Sequence, residues 1–334
     1  MALSGLNISE LARLADMVRG DAPALMSLPL EPDGKYQTRP LLLGQLACDV
    51  VGALSAVFRR IPPEEFPDLH CAWGRARVGS TALANLFGMV GLPAYYQPVK
   101  AVLRNALTGT RPDSWTPRSG DGPLFIKDVA GPYLIAECLY VPLEILLQAG
   151  YPADRLHLII LDRDPVQSLA SWLEKWSERV SHDRLLGNFI LATLNVIRVE
   201  ACARRCGVPV THYVHEASRR PVVAAEALFR HLGLGDRFTA TAVTDWRTID
   251  ALDGETSQVI FPDEPDVYHV PGLHKTEPEY RYRHRDTQGL TDADLDLLDR
   301  FSLPELYRSS VSHCAQDLGL SWVGAERAEP ACVH

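Results

Sequence analysis

This chain of 334 residues lacks several features that would each identify a broad class of protein. It has no excess of positive charge, and its net charge of -9 argues against a nucleic-acid-binding protein, because such proteins usually carry a basic domain or stripe. It has no run of the ~20 apolar residues that a membrane span requires, and its N-terminus lacks the pattern of a secretion signal. We therefore predict a cytoplasmic protein without nucleic-acid or membrane partners.

The seven cysteines include no C-x-x-C pair. Cys202 and Cys206 lie four residues apart on a predicted helix, but no partners of similar spacing lie nearby to complete a zinc site. The number of cysteines is also odd, so a complete set of disulfides is excluded. We expect free and mostly buried thiols in a reducing compartment, and no metal site.

The apolar pattern predicts an N-terminal helical extension, residues 1–66, followed by an α/β domain, residues 67–334. From residue 68, predicted strands alternate with predicted helices, which is typical of a parallel sheet covered by helices on both faces. In such a sheet, functional loops lie at the carboxyl ends of the strands. The predicted strands are 69–73, 94–97, 124–127, 156–162 and 208–214, and the predicted helices are 9–19, 41–60, 80–90, 98–107, 134–148, 165–178, 183–205, 221–232, 291–301 and 303–318.

The first of these strands leads into a segment typical of phosphate-binding loops. Gly74 and Gly79 are five residues apart, as in the G-x-x-x-x-G-K-[ST] loop of nucleoside triphosphatases. Ser80 replaces the lysine of that loop, which argues against ATP or GTP hydrolysis, whereas Arg77 supplies positive charge within the loop. Backbone N–H groups at the start of the following helix favour an anion. A turn whose glycines only permit tight packing is an equally good explanation of this segment.

A second segment of this kind follows the predicted strand 156–162. Arg163 ends the strand, and Asp164 and Pro165 are suited to the cap and first turn of a helix. Ser171 lies eight residues after Arg163. An Arg–Asp pair at an ordinary capped helix is the alternative. Two such loops in one chain favour a ligand with two separate anionic groups, which is typical of a nucleotide.

Lysine is scarce in this chain, with five residues against 28 arginines. Lys127, followed by Asp128, ends a predicted buried strand. Its compact ammonium group is suited to stabilise charge that develops on a leaving oxygen. The alternative is a lysine whose ammonium group reaches solvent from the end of the strand.

Together these segments resemble the sulfotransferases that use 3′-phosphoadenosine 5′-phosphosulfate (PAPS), most closely bacterial members whose loop reads R-S-x-S-T-A-L. Residues 77–83 read R-V-G-S-T-A-L. Arg163 and Ser171 match the pair that holds the 3′-phosphate in the family, and Lys127-Asp128 is similar to its K-D or K-T pair. Residues 208–234 look like the family's later strand, proline turn and helix ending in L-G-L. The resemblance assigns contacts with the 5′-phosphosulfate to Arg77, Val78, Gly79, Ser80, Thr81 and Ala82.

The resemblance covers residues 68–235 and implies a P-loop-like sulfotransferase fold. It implies transfer of a sulfuryl group, without a metal, from PAPS to a hydroxyl or amine of a small molecule in bacterial specialised metabolism. The acceptor is either free or bound to a carrier protein, and the product is either a stable sulfate or a hydroxyl activated for elimination or ring closure. Lys127 and Arg77 would stabilise the leaving phosphate. The sequence leaves open a homodimer or a partner subunit.

The resemblance does not identify the catalytic base. Gln97 stands where many relatives have glutamate, and Val129 stands where others have histidine. Asp128 is the first candidate for the base, because a carboxylate near the acceptor can take its proton. His215 and Glu216 are the second candidates.

Two alternatives to a sulfotransferase follow from these departures. A non-catalytic nucleotide-binding or partner subunit would explain why both expected bases are replaced, and a nucleotide kinase would use the loop 74–79. The C-terminal region lacks the family's R-K-G clamp. The Tyr95-Tyr96 pair and the loop 109–122 are candidates for the acceptor pocket. The basic candidates that the C-terminal region does offer are Lys275, Arg281, Arg283 and Arg285.

Overall fold

The structure is a computed structural model that describes residues 7–110, 115–117 and 122–323. Its strands are β1 (Pro29–Leu30), β2 (Leu41–Leu42), β3 (Leu69–Arg75), β4 (Ala94–Tyr96), β5 (Leu124–Ala130), β6 (Leu156–Asp162), β7 (Val210–Val214) and β8 (Val259–Ile260). Its helices are α1 (Ile8–Arg19), α2 (Leu43–Phe58), α3 (Ser80–Met89), α4 (Pro98–Thr108), α5 (Ile135–Leu139), α6 (Pro142–Ala149), α7 (Pro165–Trp176), α8 (His182–Leu194), α9 (Val196–Arg205), α10 (Pro221–His231), α11 (Thr241–Thr244), α12 (Asp292–Arg300) and α13 (Leu303–Leu318).

Six of the strands form one parallel sheet in the order β7-β6-β3-β5-β4-β8. Strands β1 and β2 form a separate antiparallel pair. Helices cover both faces of the sheet. The central strands β3 and β5 are buried along their whole length, as expected of apolar parallel strands that helices shield from water on both sides. The α/β class and the parallel sheet flanked by helices are confirmed.

Each face of the sheet has its own apolar core. Trp73 and Ile126 belong to the larger core, which packs against helices α1, α2 and α4 to α9. Ala72 and Phe125, one residue earlier on the same strands, belong to the second core, which includes residues of α3, α10 and α13. Successive side chains of a strand point to opposite faces, so a shift of one residue changes the core that a side chain enters.

The N-terminal helices pack on the larger core. Helix α1 contacts α8 and α9, and helix α2 contacts α4 and α6. Leu14 and Leu54 are fully buried in the same apolar cluster as Trp73. The side chain of Asn7 accepts hydrogen bonds from the backbone at the start of α1, which fixes where that helix begins. Residues 8–58 therefore share the core of the α/β sheet.

Two predicted helices are each divided in the structure. The predicted helix 134–148 is two helices, α5 and α6, because Pro142 cannot continue the first and instead begins the second. The predicted helix 183–205 is divided at Asn195, whose amide donates to the carbonyl of Tyr140. This stretch is the one in the described residues that is long and apolar enough to cross a bilayer, but 78% of its apolar window is buried, which fits a core helix.

Strand β5 is three residues longer than the predicted strand 124–127. It continues to Ala130 because it pairs with the full length of β3, with Gly74 opposite Val129. Lys127 and Asp128 are therefore neighbours inside a central strand, and their side chains lie on opposite faces of the sheet.

Strand β8 is absent from the sequence prediction. It contains two residues and pairs with β4 at the edge of the sheet. A strand of two residues is too short to show the alternation of apolar and polar residues that predicts a strand from sequence. Its position is set by its pairing with β4. It brings the chain from residue 261 to residue 285 over the carboxyl ends of the other strands. The six cysteines of the described residues are free, and Cys332 lies outside them.

Candidate functional site

A cavity of about 940 Å³ lies at the carboxyl ends of the central strands. Its walls come from the loop between β3 and α3, from β5, from Arg163 after β6, and from residues 252–285. The two loops that the sequence identifies as phosphate-binding therefore open into the same space. This is the position that the topology of a parallel α/β sheet favours for a ligand.

The loop after β3 has the backbone of an anion-binding turn. Gly79 has a φ of +82°, and a Cβ atom there would lie 2.8 Å from Nδ1 of His215. Helix α3 begins at Ser80, so the N–H groups of its first turn have no partner within the helix and face the cavity wall formed by residues 79–82. Gly74, by contrast, lies inside β3 against the carbonyl of Leu161. Gly74 is thus a glycine that permits tight packing between strands, whereas Gly79 provides the positive φ that the loop before α3 requires.

The other predicted residues of this loop divide between the cavity and the core. Thr81 and Ala82 line the cavity with Gly79 and Ser80. Val78 is buried, and its side chain packs in the apolar cluster beneath α3. Only the backbone of Val78 is left to contact a ligand.

Arg77 and Arg163 bring the two loops together. Nε of Arg77 donates to Oγ of Ser171 at 3.0 Å, and Nη1 of Arg163 donates to the carbonyl of Arg77 at 3.3 Å. Burial, reinforced by the nearby charges of Arg285 and Arg163, lowers the pKa of Arg77 to about 10. Burial also lowers the pKa of Arg163. Two positively charged guanidinium groups repel one another inside a protein. A bound anion offsets that repulsion, so the binding of an anion is strongly favoured here.

Ser171 has a different position from the one that the family resemblance implies. Its side chain is fully buried in α7 and does not line the cavity. Its hydroxyl instead accepts the hydrogen bond from Nε of Arg77 and so fixes the orientation of that guanidinium. In this structure Ser171 positions an arginine, and Arg163 and Arg77 are the groups available to an anion.

The C-terminal segment completes the arginine cluster. Nη2 of Arg163 donates to the carbonyl of Arg283 at 2.8 Å, and the backbone N–H of Arg285 donates to Oε1 of Gln167 at 3.1 Å. Arg281 and Lys275 also line the cavity. The segment lacks the family's clamp motif, yet tertiary contacts place its basic residues beside Arg163.

Arg75 was not identified from the sequence, although it fixes the relative position of the two loops. It is the last residue of β3 and is 4% exposed. Its Nη1 donates to Oδ1 of Asp162 at 2.6 Å, and its Nε donates to Oγ of Ser168 at 3.1 Å. Its Nη2 also donates to the carbonyl of Arg163. The available signal was a charge at the end of an apolar strand, next to the glycine-containing loop.

Lys127 lies between the first loop and the floor of the cavity. Its Nζ is 3.4 Å from Oγ of Ser80 and 3.7 Å from the ring centroid of Tyr96. Burial, with a contribution from the charge of Lys100, holds the pKa of Lys127 well below 10.5. Burial therefore destabilises the ammonium form relative to water, and an anion beside the first turn of α3 would stabilise it.

Asp128 does not face the cavity, which contradicts its proposed position beside an acceptor. Its Oδ1 accepts from the backbone N–H of Lys100 at 2.8 Å and from the hydroxyl of Tyr140 at 3.3 Å. Burial raises the pKa of Asp128 to about 7. Strand β5 extends beyond Lys127, and its pleat directs the side chain of Asp128 to the face opposite that of Lys127. Its carboxyl caps the first turn of α4.

His215 and Glu216, the second candidates for the catalytic base, are also held by contacts within the protein. Glu216 does not line the cavity, and its Oε1 accepts from the backbone N–H of Asp164 at 3.1 Å. His215 does line the cavity, but it packs against Gly79 and is hydrogen-bonded to the backbone of Arg283. Burial, with the charge of Arg163, lowers its pKa to about 3. Its contacts with Gly79 and Arg283 indicate that His215 supports the loop between β3 and α3.

The far end of the cavity is polar and aromatic. Gln97 has a φ of +48° at the start of α4, and its Oε1 is buried without a hydrogen-bond partner in the described residues. Arg104 donates to Glu137 at 2.8 Å and forms an ion pair of 2.5 Å with Glu264. Tyr133 lies nearby on the same wall. Gln97 lines the cavity, and a buried acceptor without a donor is suited to bind an O–H or N–H group.

The predicted acceptor pocket is only partly formed by the residues proposed for it. Tyr96 lines the cavity, whereas Tyr95 packs against Trp115 in the larger core. Of the loop 109–122, residues 111–114 and 118–121 lie outside the described residues.

Comparisons with known proteins add no family assignment. No model of a protein family, no curated protein and no solved structure matches this chain.

Proposed function

We propose that this protein is a PAPS-dependent sulfotransferase with a P-loop-like sulfotransferase fold. The observation that supports it most is the contact between Arg163 and Arg77, because it joins two anion-binding loops in one cavity. A nucleotide with a 3′-phosphate and a 5′-phosphosulfate carries anionic groups suited to both loops. Arg77 and Arg163 would hold the 3′-phosphate, and the first turn of α3 with Lys127 would hold the phosphosulfate. This role of Arg77 differs from the one at the leaving phosphate that the resemblance implies, because Arg77 contacts Ser171 and Arg163.

The residues support a direct in-line transfer. The bond between sulfur and the bridging oxygen of the donor breaks while a bond forms from sulfur to the acceptor oxygen or nitrogen. The leaving phosphate takes the electron pair, and the acceptor loses a proton. Lys127 and the N–H groups of residues 80–82 stabilise the charge that develops on the leaving oxygen. The acceptor is a small molecule, free or tethered to a carrier protein, with Gln97 oriented to bind its O–H or N–H.

A non-catalytic nucleotide-binding subunit is the second candidate function. It is favoured by Gln97 and Val129 in the positions of the family's bases and by the distance of Asp128 from the cavity wall. Nucleotide binding without transfer, unless a second protein is added, would support this candidate. A nucleotide kinase is disfavoured, because Ser80 occupies the place of the loop lysine.

Replacing Arg163 by alanine is expected to weaken the binding of adenosine 3′,5′-bisphosphate roughly 10- to 100-fold, because a buried charge-assisted contact is lost. Isothermal titration calorimetry measures the change. AMP, which lacks the 3′-phosphate, should bind weakly to the native protein and lose little affinity in Arg163→Ala. Arg230→Ala is the control, because Arg230 is exposed on α10 and does not line the cavity. Equal binding of AMP and the bisphosphate by the native protein would contradict the proposal.

Nucleotide binding is expected to take up protons and to weaken as pH rises. Burial lowers the pKa of Lys127 in the free protein, and a bound anion raises it again, so the anion selects the protonated form. The affinity therefore falls with increasing pH above about pH 7, where the phosphates of the ligand are fully ionised. Lys100, whose pKa burial lowers to about 8, contributes a smaller part from the cavity wall. Calorimetry in buffers of different ionisation enthalpy measures the number of protons taken up on binding. This proton uptake should be largely lost in Lys127→Met.

A further inference from the structure

The proposed transfer releases a proton, and the C-terminal segment supplies a group that can take it. We propose that His274 is the general base of the sulfuryl transfer, an assignment that rests on the proposed function. It accepts the proton of the acceptor's O–H or N–H as sulfur bonds to that atom, and the electron pair of the broken S–O bond remains on the leaving phosphate. The histidine comes from a segment outside the part of the chain that resembles the family.

His274 lies at the end of the cavity where the sulfuryl group would be transferred. Its imidazole lines the cavity and packs edge-on against Tyr96, with ring centroids 4.8 Å apart. Nζ of Lys127 lies 3.7 Å from the centroid of that same ring. Phe261 stacks on Tyr96 at 4.3 Å and contacts His274 at 5.1 Å. The imidazole of His274 and the Nζ atom of Lys127 thus both contact the ring of Tyr96, and Phe261 packs against Tyr96 and His274.

The imidazole is positioned by the backbone around it and has nitrogens available to a ligand. The carbonyl of His274 accepts from the N–H of Leu252 at 2.8 Å, and Lys275 pairs with Ala251 in a β-bridge. Within residues 122–323, no protein group forms a hydrogen bond with the His274 side chain. A base must have a lone pair that is free to take a proton, and the neutral imidazole of His274 has one.

Burial and the positive charges around His274 keep its imidazole unprotonated, as a general base must be before it takes a proton. Burial, with the positive charges of Lys127, Arg77 and Lys175 and a small contribution from His269, lowers its pKa to about 3. The ring is therefore neutral at physiological pH. A bound phosphosulfate offsets those positive charges, which raises the basicity of the imidazole when the donor is present.

Glu264 is the nearest competitor for this role. It lines the cavity, and one of its oxygens is buried without a hydrogen-bond partner in the described residues. Its other oxygen is held by Arg104 at 2.5 Å, so the carboxylate is already engaged by a guanidinium group of the protein. Glu264 is therefore better suited to orient the acceptor than to take its proton.

The test compares His274→Gln with His269→Gln and Glu264→Gln. Sulfuryl transfer from labelled PAPS is measured with phenol and with 4-nitrophenol at mildly alkaline pH, where 4-nitrophenol is already largely ionised and requires no base. In His274→Gln, kcat with phenol should fall about 100-fold, whereas kcat with 4-nitrophenol should fall only a few-fold. His269→Gln, a variant of a second histidine on the cavity wall, should retain near-native rates with both acceptors.

The outcomes separate this inference from the proposed function. If the native protein does not bind adenosine 3′,5′-bisphosphate, the proposed function itself fails. If His274→Gln binds the nucleotide normally but loses equal activity with both phenols, or loses none, His274 is not the base. A selective loss with phenol in Glu264→Gln alone would assign the role to Glu264 and overturn the proposal. Nucleotide binding by the native protein with no transfer to either phenol or to water would also overturn it.

Discussion

Replacing Lys127 by methionine is expected to lower kcat for sulfuryl transfer about 10³-fold, because one preorganised cation at the leaving oxygen is removed. Methionine keeps most of the length and apolar contact of the lysine stem, so the packing against Tyr96 is largely preserved. Lys127 is 2% exposed and its Nζ is 3.4 Å from Oγ of Ser80, which places the ammonium group beside the first turn of α3. In this dry position a charge interacts more strongly than at the surface.

The effect of Lys127→Met should be larger on kcat than on nucleotide affinity. In the ground state the guanidinium groups of Arg77 and Arg163 and the N–H groups of the loop also bind the donor. Only in the transition state does the bridging oxygen gain the charge that Lys127 stabilises, so the loss falls mainly on the chemical step. Single-turnover transfer from PAPS to phenol measures that step, and calorimetry with adenosine 3′,5′-bisphosphate measures binding.

Lys175→Met is the matched control for this prediction. Lys175 also lines the cavity, but it lies on α7 and is partly exposed. Its charge is therefore screened, and its loss should change kcat less than about ten-fold. If the two variants lose the same activity, Lys127 acts only through the general positive field of the cavity, and its assigned role at the leaving oxygen is wrong.

The sequence predicted the parts of this structure that depend on local chemistry. Asp164 caps α7 by accepting from the N–H groups of Val166 and Gln167, and Pro165 occupies its first turn, as their residue types favour. The parallel strands followed from apolar runs between amphipathic helices. The positive φ of Gly79 likewise matches the residue type that such a backbone requires.

The sequence could not predict features that depend on pairing between distant segments. The length of β5 is set by its register with β3, and that register moved Asp128 away from the cavity wall. The contact of Ser171 with Arg77 joins residues 94 positions apart, so family spacing alone assigned Ser171 to the ligand. His274 has no motif around it, and its position in the site depends on tertiary contacts, among them the pairing of β8 with β4 and the bridge between Ala251 and Lys275.

Replacing Arg75 by methionine is expected to lower the free energy of unfolding by about 3–5 kcal/mol, because Asp162 would then be a buried carboxylate without its cation. The side chains of Arg75 and Asp162 are 3% and 8% exposed, and their ion pair is 2.6 Å. Two donors would remain on Asp162, the hydroxyl of Ser310 at 2.8 Å and the backbone N–H of Arg163 at 2.8 Å. Chemical denaturation monitored by circular dichroism measures the change.

Arg155→Met is the control for this second prediction, since Arg155 forms a 3.1 Å pair with Asp68 in which both side chains are exposed. Such a surface pair contributes about 0–1 kcal/mol. The double variant Arg75→Met with Asp162→Asn should recover part of the lost stability, because no unpaired charge remains buried. Arg75→Met should also weaken binding of adenosine 3′,5′-bisphosphate, since Arg75 holds the carbonyl of Arg163 in place. An Arg75→Met protein as stable as Arg155→Met would show that the two loops are held together without this ion pair.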